Sequence, residues 1–461
     1  MSSRPYITFW SGVGTVTGAN FVMDTGRSRI AIDCGMVQGE KFATEENAQP
    51  FAYDLSSLSA LIITHAHLDH VGRIPKLVKD GYQGPIYSTP ETRELAELVL
   101  NDAVGILALE AKQNGGLPLY GIEDVEAVFP LWKTIPYHQE TKITDDVSVF
   151  LKDAGHILGS SMIEMHVKGG KSDGSDLKVL FTGDVGNSPA PLLRDTEPVG
   201  EVDYMITESV YGDRNHEARE LRTQQFEKVI NDTLARGGTL VIPAFSIDRT
   251  QVLLYELNNF VEQKKIPSVP VFVDSPMAIK ATEVYQASTE LFNDKVKEQI
   301  NGGDNIFRFP HLQFTVSQNE SRDIERLRGA KIILAGSGMS VGGRVLSHEE
   351  DFLPDPKNTI LLVGYQTTGS LGRKLADGAK KVTIHGREIK VKAHIETLYG
   401  YSAHKDSDHM VEFVATASRR LKKVFVVMGE PKSSMFLAQR LNNELVVKAL
   451  VPERGEKYEL E

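Results

Sequence analysis

A single cysteine, Cys34, occurs in 461 residues, so no disulfide can close within the chain and no cysteine-rich zinc site can be built. Long apolar runs are missing as well: none approaches the roughly 18 residues that a membrane-spanning helix needs. The start, Met1-Ser2-Ser3-Arg4-Pro5-Tyr6, has no apolar core behind a basic head, so a secretory signal is not expected and a cytoplasmic location is. Basic excess is lacking too; the net charge is −11, which argues against a surface coated with lysine and arginine for nucleic-acid binding. Cys34 itself, in Ile30-Ala31-Ile32-Asp33-Cys34-Gly35, reads as a small buried residue on a strand and receives no chemistry.

What is present is ordinary globular material with one unusual stretch. The length admits two or three domains with large cores. Directly behind the apolar run Ala60-Leu61-Ile62-Ile63 stands Thr64-His65-Ala66-His67-Leu68-Asp69-His70. Three imidazoles and a carboxylate fall within six residues, on a tight turn at a rigid strand end. That donor set suits Zn²⁺ or a similar divalent ion. Two more candidates follow strands. His156 lies in Asp153-Ala154-Gly155-His156-Ile157-Leu158-Gly159-Ser160, and Asp184 follows Val179-Leu180-Phe181-Thr182-Gly183. A carboxylate at a strand tip can bridge two cations held about 3.5–4 Å apart.

The pattern of elements changes along the chain. Early segments such as Ile7-Thr8-Phe9-Trp10 and Arg29-Ile30-Ala31-Ile32 read as strands joined by tight turns, and residues 90–114 read as a helix. From about residue 209, amphipathic helices alternate with fully apolar strands, among them Thr239–Pro243, Val269–Val273, Lys331–Ala335 and Thr359–Val363. That alternation predicts a separate α/β domain with a parallel sheet covered on both faces. Residues 209–394 carry 25 Lys and Arg against 23 Asp and Glu, whereas the remainder carries 26 against 39. A less acidic middle section suits a phosphate-bearing substrate held partly there.

The series His65-x-His67-x-Asp69-His70, His156, Asp184 resembles the signature of the metallo-β-lactamase fold, in which two sheets lie between helices (αββα) with a dinuclear site at the sandwich edge. Further segments resemble its β-CASP nuclease branch, which contains the pre-mRNA 3′-end endonuclease and its prokaryotic relatives. They are Gly12-Val13-Gly14-Thr15-Val16-Thr17-Gly18, Glu208-Ser209-Val210-Tyr211-Gly212-Asp213-Arg214, Pro243-Ala244-Phe245-Ser246-Ile247-Asp248-Arg249-Thr250-Gln251, Gly336-Ser337-Gly338-Met339, Val363-Gly364-Tyr365-Gln366 and Tyr401-Ser402-Ala403-His404. The resemblance implies a lactamase-like body over 1–208 and 395–461, with 209–394 as the inserted β-CASP domain. It implies that His65, His67 and His156 hold one zinc, that Asp69 and His70 hold another, and that Asp184 bridges them, with Asp69 also serving catalysis. Glu208 and His404 would form an acid relay in which the imidazole protonates a leaving oxygen.

One position departs from the family. Where a histidine normally completes the second zinc, this chain has Met428, in Val427-Met428-Gly429-Glu430, and a neutral thioether is a poor zinc ligand. The second site is therefore expected to be weaker, with Mn²⁺ as an alternative to Zn²⁺. The family's DNA-processing members also lack that histidine. The Gly336–Arg344 loop exposes backbone N–H groups and adds a guanidinium, so Ser337, Gly338 and Arg344 are candidate phosphate binders, with Arg249 and Lys280 weaker ones.

The expected activity is hydrolysis of single-stranded RNA phosphodiesters by a metal-bound hydroxide, leaving 5′-phosphate ends. Alternatives are a single-stranded DNA nuclease, a hydrolase of small esters or thioesters, and an RNA-binding subunit that does not cut. Endo- or exonuclease mode is left open, and so is a homodimer.

Overall fold

The computed structural model describes residues 4–39, 42–217, 219–367, 369–417 and 419–461. The chain forms two compact units, Met1–Asn215 with His404–Glu461, and His216–Ala403. Both limits fall a few residues later than the sequence boundaries at 208 and 394. The second shift has a plain cause: strand His394–Leu398 pairs parallel with Thr359–Val363 and so completes the second unit's sheet.

The first unit holds two seven-stranded sheets. One runs, edge to edge, through Lys457–Glu459, Tyr6–Ser11, Asn20–Asp24, Arg29–Ile32, Ala60–Ile62, Ile86–Ser88 and Trp132–Thr134. The other runs through Lys448–Leu450, Lys423–Val426, Tyr204–Thr207, Leu177–Phe181, Ser161–Val167, Val147–Asp153 and Thr141–Lys142. Period-two alternation explains how they stack. Val179, Phe181, Ile206 and Phe425 point into a core shared with Ile7, Phe9, Met23 and Ile30 of the facing sheet. Their neighbours Leu180, Met205, Val424 and Val426 point the other way, onto helices Ser407–Ala415 and Pro431–Glu444. Helix Pro90–Asn114 packs beside strand Trp132–Thr134. The result is the expected αββα sandwich.

Cys34 departs slightly from its reading. It is buried, but it lies two residues past the end of its strand, where its N–H donates to the His70 carbonyl at 2.8 Å. Burial pushes its thiol up to about 12, which keeps it protonated and inert.

The second unit is built on a six-stranded sheet in the order Leu312–Phe314, Val271–Asp274, Lys331–Ala335, Thr239–Pro243, Thr359–Val363, His394–Leu398. Every pairing in it is parallel. The strands Thr239–Pro243, Lys331–Ala335 and Thr359–Val363 are buried along their whole length, as a sheet covered on both faces requires. Among the described residues, no helix is long and apolar enough to cross a membrane.

Under the Gly336–Gly343 loop of this unit lies a buried carboxyl group, Glu349, whose Oε1 accepts a bond from Ser340 Oγ at 2.5 Å. Burial raises it from 4.5 to about 7, while the Ser340 bond works the other way. The folded form therefore prefers the neutral acid. That preference contributes fully below about pH 4.5 and is lost as pH rises through about 7. Glu349→Gln should match the wild type at pH 5 and exceed it at pH 8 by up to about 3 kcal/mol. Denaturation curves at the two pH values would measure this, and parallel pH profiles for both proteins would contradict it.

Candidate metal centre and proton relay

Except for His404, the site residues of the first unit lie in the segments that follow strand ends. His65 and His67 follow strand Ala60–Ile62, and His67 caps the short helix Leu68–Val71 that carries Asp69 and His70. The sequence suggested a plain turn here. A single helical turn instead carries Asp69 and His70, whose donor atoms group with Asp184 apart from those of His65 and His67, so one segment could serve two ions. His156 follows strand Val147–Asp153, Asp184 follows Leu177–Phe181, and Glu208 follows Tyr204–Thr207. Gly186 lets two of these loops close up, because a Cβ there would lie 1.9 Å from the Gly155 carbonyl oxygen. His404 bridges to Gly186 in antiparallel fashion, which sets the imidazole beside the Asp184 loop.

Four donor atoms converge. His65 Nε2 lies 3.1 Å from His67 Nδ1, and His156 Nε2 lies 3.2 Å from the same atom. Asp184 Oδ2 is 3.4 Å from His65 Nε2 and 3.5 Å from His156 Nε2. A tetrahedron with ligands about 2.0–2.1 Å from a central ion has edges of roughly 3.3–3.4 Å. The observed spacings straddle that value, so these residues fit a four-coordinate divalent ion. The second oxygen of Asp184 faces elsewhere: Oδ1 is 3.3 Å from His70 Nε2, and Asp69 Oδ2 is 3.9 Å from that nitrogen. Among the described residues neither Asp184 Oδ1 nor His70 Nε2 has a hydrogen-bond partner, although both are buried. A cation held by Asp69, His70 and Asp184 would satisfy both atoms.

The protonation states of His67, His156 and Asp184 suit ligands. Burial, aided by the neighbouring imidazoles, holds His67 and His156 well below the ordinary histidine range, so their lone pairs stay available. Burial works against ionisation of Asp184, yet His70 and His65 beside it bring its carboxyl well below the usual carboxylate range. Burial raises Asp69. His70 is held well above its usual value, against the effect of burial, by Asp184 and Asp33.

Asp33 is the residue that the sequence reading passed over. Its Oδ2 accepts from His70 Nδ1 at 2.8 Å and from Thr64 Oγ1 at 2.8 Å, and its Oδ1 accepts from the Thr64 N–H at 2.8 Å. This fixes the His70 ring with Nε2 toward Asp184. The available signal was an acidic residue at a strand end, Ile32-Asp33, the same signal that singled out Asp184. Ser160 plays a smaller part, its Oγ accepting the His156 N–H at 3.1 Å.

Glu208 and His404 form the expected pair, with His404 Nδ1 3.0 Å from Glu208 Oε1. Backbone N–H groups of Val185 and Val210 donate to Glu208 at 2.7 and 3.3 Å, and the Tyr211 ring stacks near the imidazole at 30° and 6.3 Å. Burial opposes a charge on His404, but Glu208, then Asp184 and Asp69, raise it to about 9. Cations on Asp184 and Asp69 would offset the share due to those two carboxylates. Met428 is buried in the inter-sheet core, its sulfur against Gly12, and with Asp33, His70 and Glu208 it lines a small internal cavity.

The phosphate-binding reading of the second unit is corrected in part. Arg344 Nη1 donates to Asp274 Oδ1 at 2.6 Å and to the Thr315 carbonyl at 3.1 Å, and Nη2 donates to the Val316 carbonyl at 2.5 Å. Its guanidinium neutralises a fully buried carboxylate. Ser337 Oγ donates to the Gly342 carbonyl and accepts the Val341 N–H, so it closes its own loop. Gly338 packs against Phe245, and Arg249 is buried beside Asp248, whose carboxyl burial raises to about 6 against the opposing charge of Arg249. Lys280 is exposed on helix Pro276–Ala287.

Comparison with known proteins agrees with this geometry. Residues 22–171 match the metallo-beta-lactamase superfamily domain, 250–375 the Beta-Casp domain, and 388–452 the Zn-dependent metallo-hydrolase RNA specificity domain. The chain is 33% identical over 426 residues to a ribonuclease of Thermus thermophilus, covering 92% of this chain and 93% of that one. It is 32% identical to the transcription termination factor FttA of Methanosarcina mazei, covering 96% of this chain and 69% of the relative. A crystal structure of a protein of unknown function from Enterococcus faecalis V583 shares the fold, with a TM-score of 0.55 at 14% identity over 99% of this chain and 100% of that one.

Asp33→Asn should keep the shape of the site but lose the charge that orients His70. Metal affinity at the Asp69–His70–Asp184 group should fall about 10- to 100-fold, while the His65–His67–His156 group keeps its own. Calorimetric titration with Zn²⁺ resolves the two, and an unchanged weaker phase would remove Asp33 from the site.

Proposed function

The chain belongs to the β-CASP branch of the metallo-β-lactamase superfamily, whose members are metal-dependent hydrolases with nucleases among them, and from that premise we propose that it cuts single-stranded RNA with two zinc ions and leaves 5′-phosphate ends. The observation that carries the proposal is the Asp184 carboxylate, with Oδ2 in a tetrahedral set of three imidazoles and Oδ1 facing His70. The RNA specificity domain at 388–452 and the ribonuclease relative support RNA as the polymer.

His65, His67, His156 and Asp184 Oδ2 would hold one ion; Asp69, His70 and Asp184 Oδ1 would hold the other, more weakly, because one protein ligand fewer converges there. Bound there, zinc supplies Lewis acidity toward phosphate oxygens and lowers the pKa of water from 15.7 toward about 7. The chain's own residues do the rest. Glu208, pinned by two backbone N–H groups, keeps a proton on His404 Nδ1. The imidazolium can then release its other proton, from Nε2, to the departing 3′ oxygen, and Glu208 stabilises the charge it carries before transfer. No arginine is among the residues of these groups, so the ions they would hold and the His404 imidazolium would share the charge on the phosphate.

Met428 favours a second reading, a single-stranded DNA nuclease, since it leaves the second ion without a histidine at that strand end. A small-ester hydrolase would have no use for the Glu208–His404 relay.

Labelled single-stranded RNA, single-stranded DNA and a chromogenic ester, each with and without a chelator, separate the three. RNA should be cut fastest, and chelation should stop cutting until Zn²⁺ is restored. Asp184→Ala and His67→Ala should abolish cleavage with circular dichroism unchanged; full activity in either would defeat the metallonuclease reading. His404→Ala should lower kcat by about 10²- to 10⁴-fold with KM nearly constant. A wild-type rate in that variant would make His404 structural.

A further inference from the structure

The segment Pro243–Gln251 is left unused by the metal chemistry, yet it presents an exposed aromatic ring at the head of the second unit's sheet. We propose that Phe245 is a stacking platform for a nucleobase of single-stranded RNA. The proposal rests on the ribonuclease reading and adds a subsite on the second unit by which it grips substrate.

Its position is the first argument. Strands Thr239–Pro243 and Lys331–Ala335 are parallel neighbours, with Pro243 opposite Ala335. The chain leaving Pro243 goes on to Val271–Asp274 on one side of the sheet, while the chain leaving Ala335 goes on to Thr359–Val363 on the other. The order thus reverses between these two strands, and the crevice beyond their carboxyl ends is where open parallel sheets take ligands. Phe245 and Gly338 stand two and three residues past those ends.

The second argument is rigidity. Single exposed apolar residues are normal on any surface and need no explanation. Phe245, 39% exposed after a wholly buried strand, is held unlike such a residue. Its carbonyl accepts both the Thr250 N–H at 3.2 Å and Thr250 Oγ1 at 2.8 Å. The next carbonyl, that of Ser246, accepts from Gln251 Nε2 at 3.1 Å, and Gln251 is itself buried against Thr282 Oγ1 at 2.9 Å. Asp248 closes the turn at φ 65°, a region that residues with side chains rarely occupy and that clusters at functional sites.

The third argument is what surrounds the ring. It occupies the space a side chain at 338 would need, since a Cβ on Gly338 would lie 2.7 Å from Phe245 Cδ2. Gln366 Nε2 donates to the Gly338 carbonyl at 3.1 Å and fixes that backing. Beside the loop, the hydroxyls of Ser246 and Ser275 are 3.2 Å apart. A flat, exposed aromatic surface on a fixed backbone suits the face of a base, which stacks whatever its edge carries.

The test compares steady-state cleavage of an RNA oligomer with that of a matched oligomer carrying abasic nucleotides, using the zinc-loaded full chain. Phe245→Leu keeps the bulk but loses the π-face, whereas Phe245→Tyr keeps both. Phe245→Leu should raise KM for RNA about five- to hundredfold, leave kcat nearly constant, and leave the abasic oligomer unaffected. Phe245→Tyr should behave as wild type, and thermal melting of all three proteins checks the fold. Wild-type KM for RNA in Phe245→Leu overturns the subsite while leaving the ribonuclease reading intact. An equal rise in KM for both oligomers also overturns it, since a loss that ignores the base is not stacking. A wild-type protein that cuts no RNA would instead remove the ribonuclease reading, and the subsite with it.

Discussion

The site depends on a buried carboxylate with an imidazole group on each of its two oxygens. Asp184 extends from a central strand, Leu177–Phe181, that is hydrogen-bonded on both sides, to Ser161–Val167 and to Tyr204–Thr207. Its placement therefore starts from the sandwich, three residues past the strand's last. With ring nitrogens 3.1 and 3.2 Å apart around it, the three imidazoles bring their nitrogens onto the same volume. Such convergence is unfavourable unless a cation occupies the centre, and only a body with its own large core can impose it. The core shared by the two sheets supplies that rigidity.

The protein uses one device twice. A carboxylate on the Nδ1 side fixes each of two imidazoles, Asp33 for His70 and Glu208 for His404, at 2.8 and 3.0 Å. What differs is the neighbour across the ring. His70 Nε2 faces Asp184 Oδ1 at 3.3 Å, so a cation between them is the natural outcome. His404 lies 3.9 Å from Asp184 Oδ2 by Nδ1, and its partner Glu208 is held by backbone N–H groups. In the proposed reading that difference in partners separates ligand from acid, although the sequence presents both simply as histidines.

The candidate set was legible in the sequence because each member lies beyond an apolar strand, and strand ends recur wherever strands do. His65, His67, Asp69, His70, His156 and Asp184 could all be read this way, and the alternation of apolar strands with helices gave the parallel sheet. Three things could not be read. The helical turn Leu68–Val71 was hidden because four residues carry no period of their own. Asp33 was hidden because it is linked to His70 only through space, 37 residues away. The end of the second unit was hidden because strand His394–Leu398 alternates exposed and half-buried residues as an edge strand does in either kind of sheet.

The glycine-rich loop shows why a charged residue in a phosphate-like context can mislead. Asp274 ends strand Val271–Asp274 fully buried, and it accepts bonds from Thr315 Oγ1, Ser321 Oγ and Arg344 Nη1 and lies 2.7 Å from His348 Nε2. An ionised carboxylate at that depth is costly without a cation beside it, so Arg344 is committed before any substrate arrives. The glycines of the same loop serve backbone closure, as the Ser337 N–H bonded to the Gly342 carbonyl at 3.1 Å indicates. With Arg344 committed inward, the exposed ring of Phe245 is what the head of this sheet offers a flat ligand. Recognition through stacking is what that composition favours, and it tolerates any base. A second unit built this way would hold a strand without reading its sequence, and would leave the choice of where to cut to the metal centre and to whatever presents the RNA.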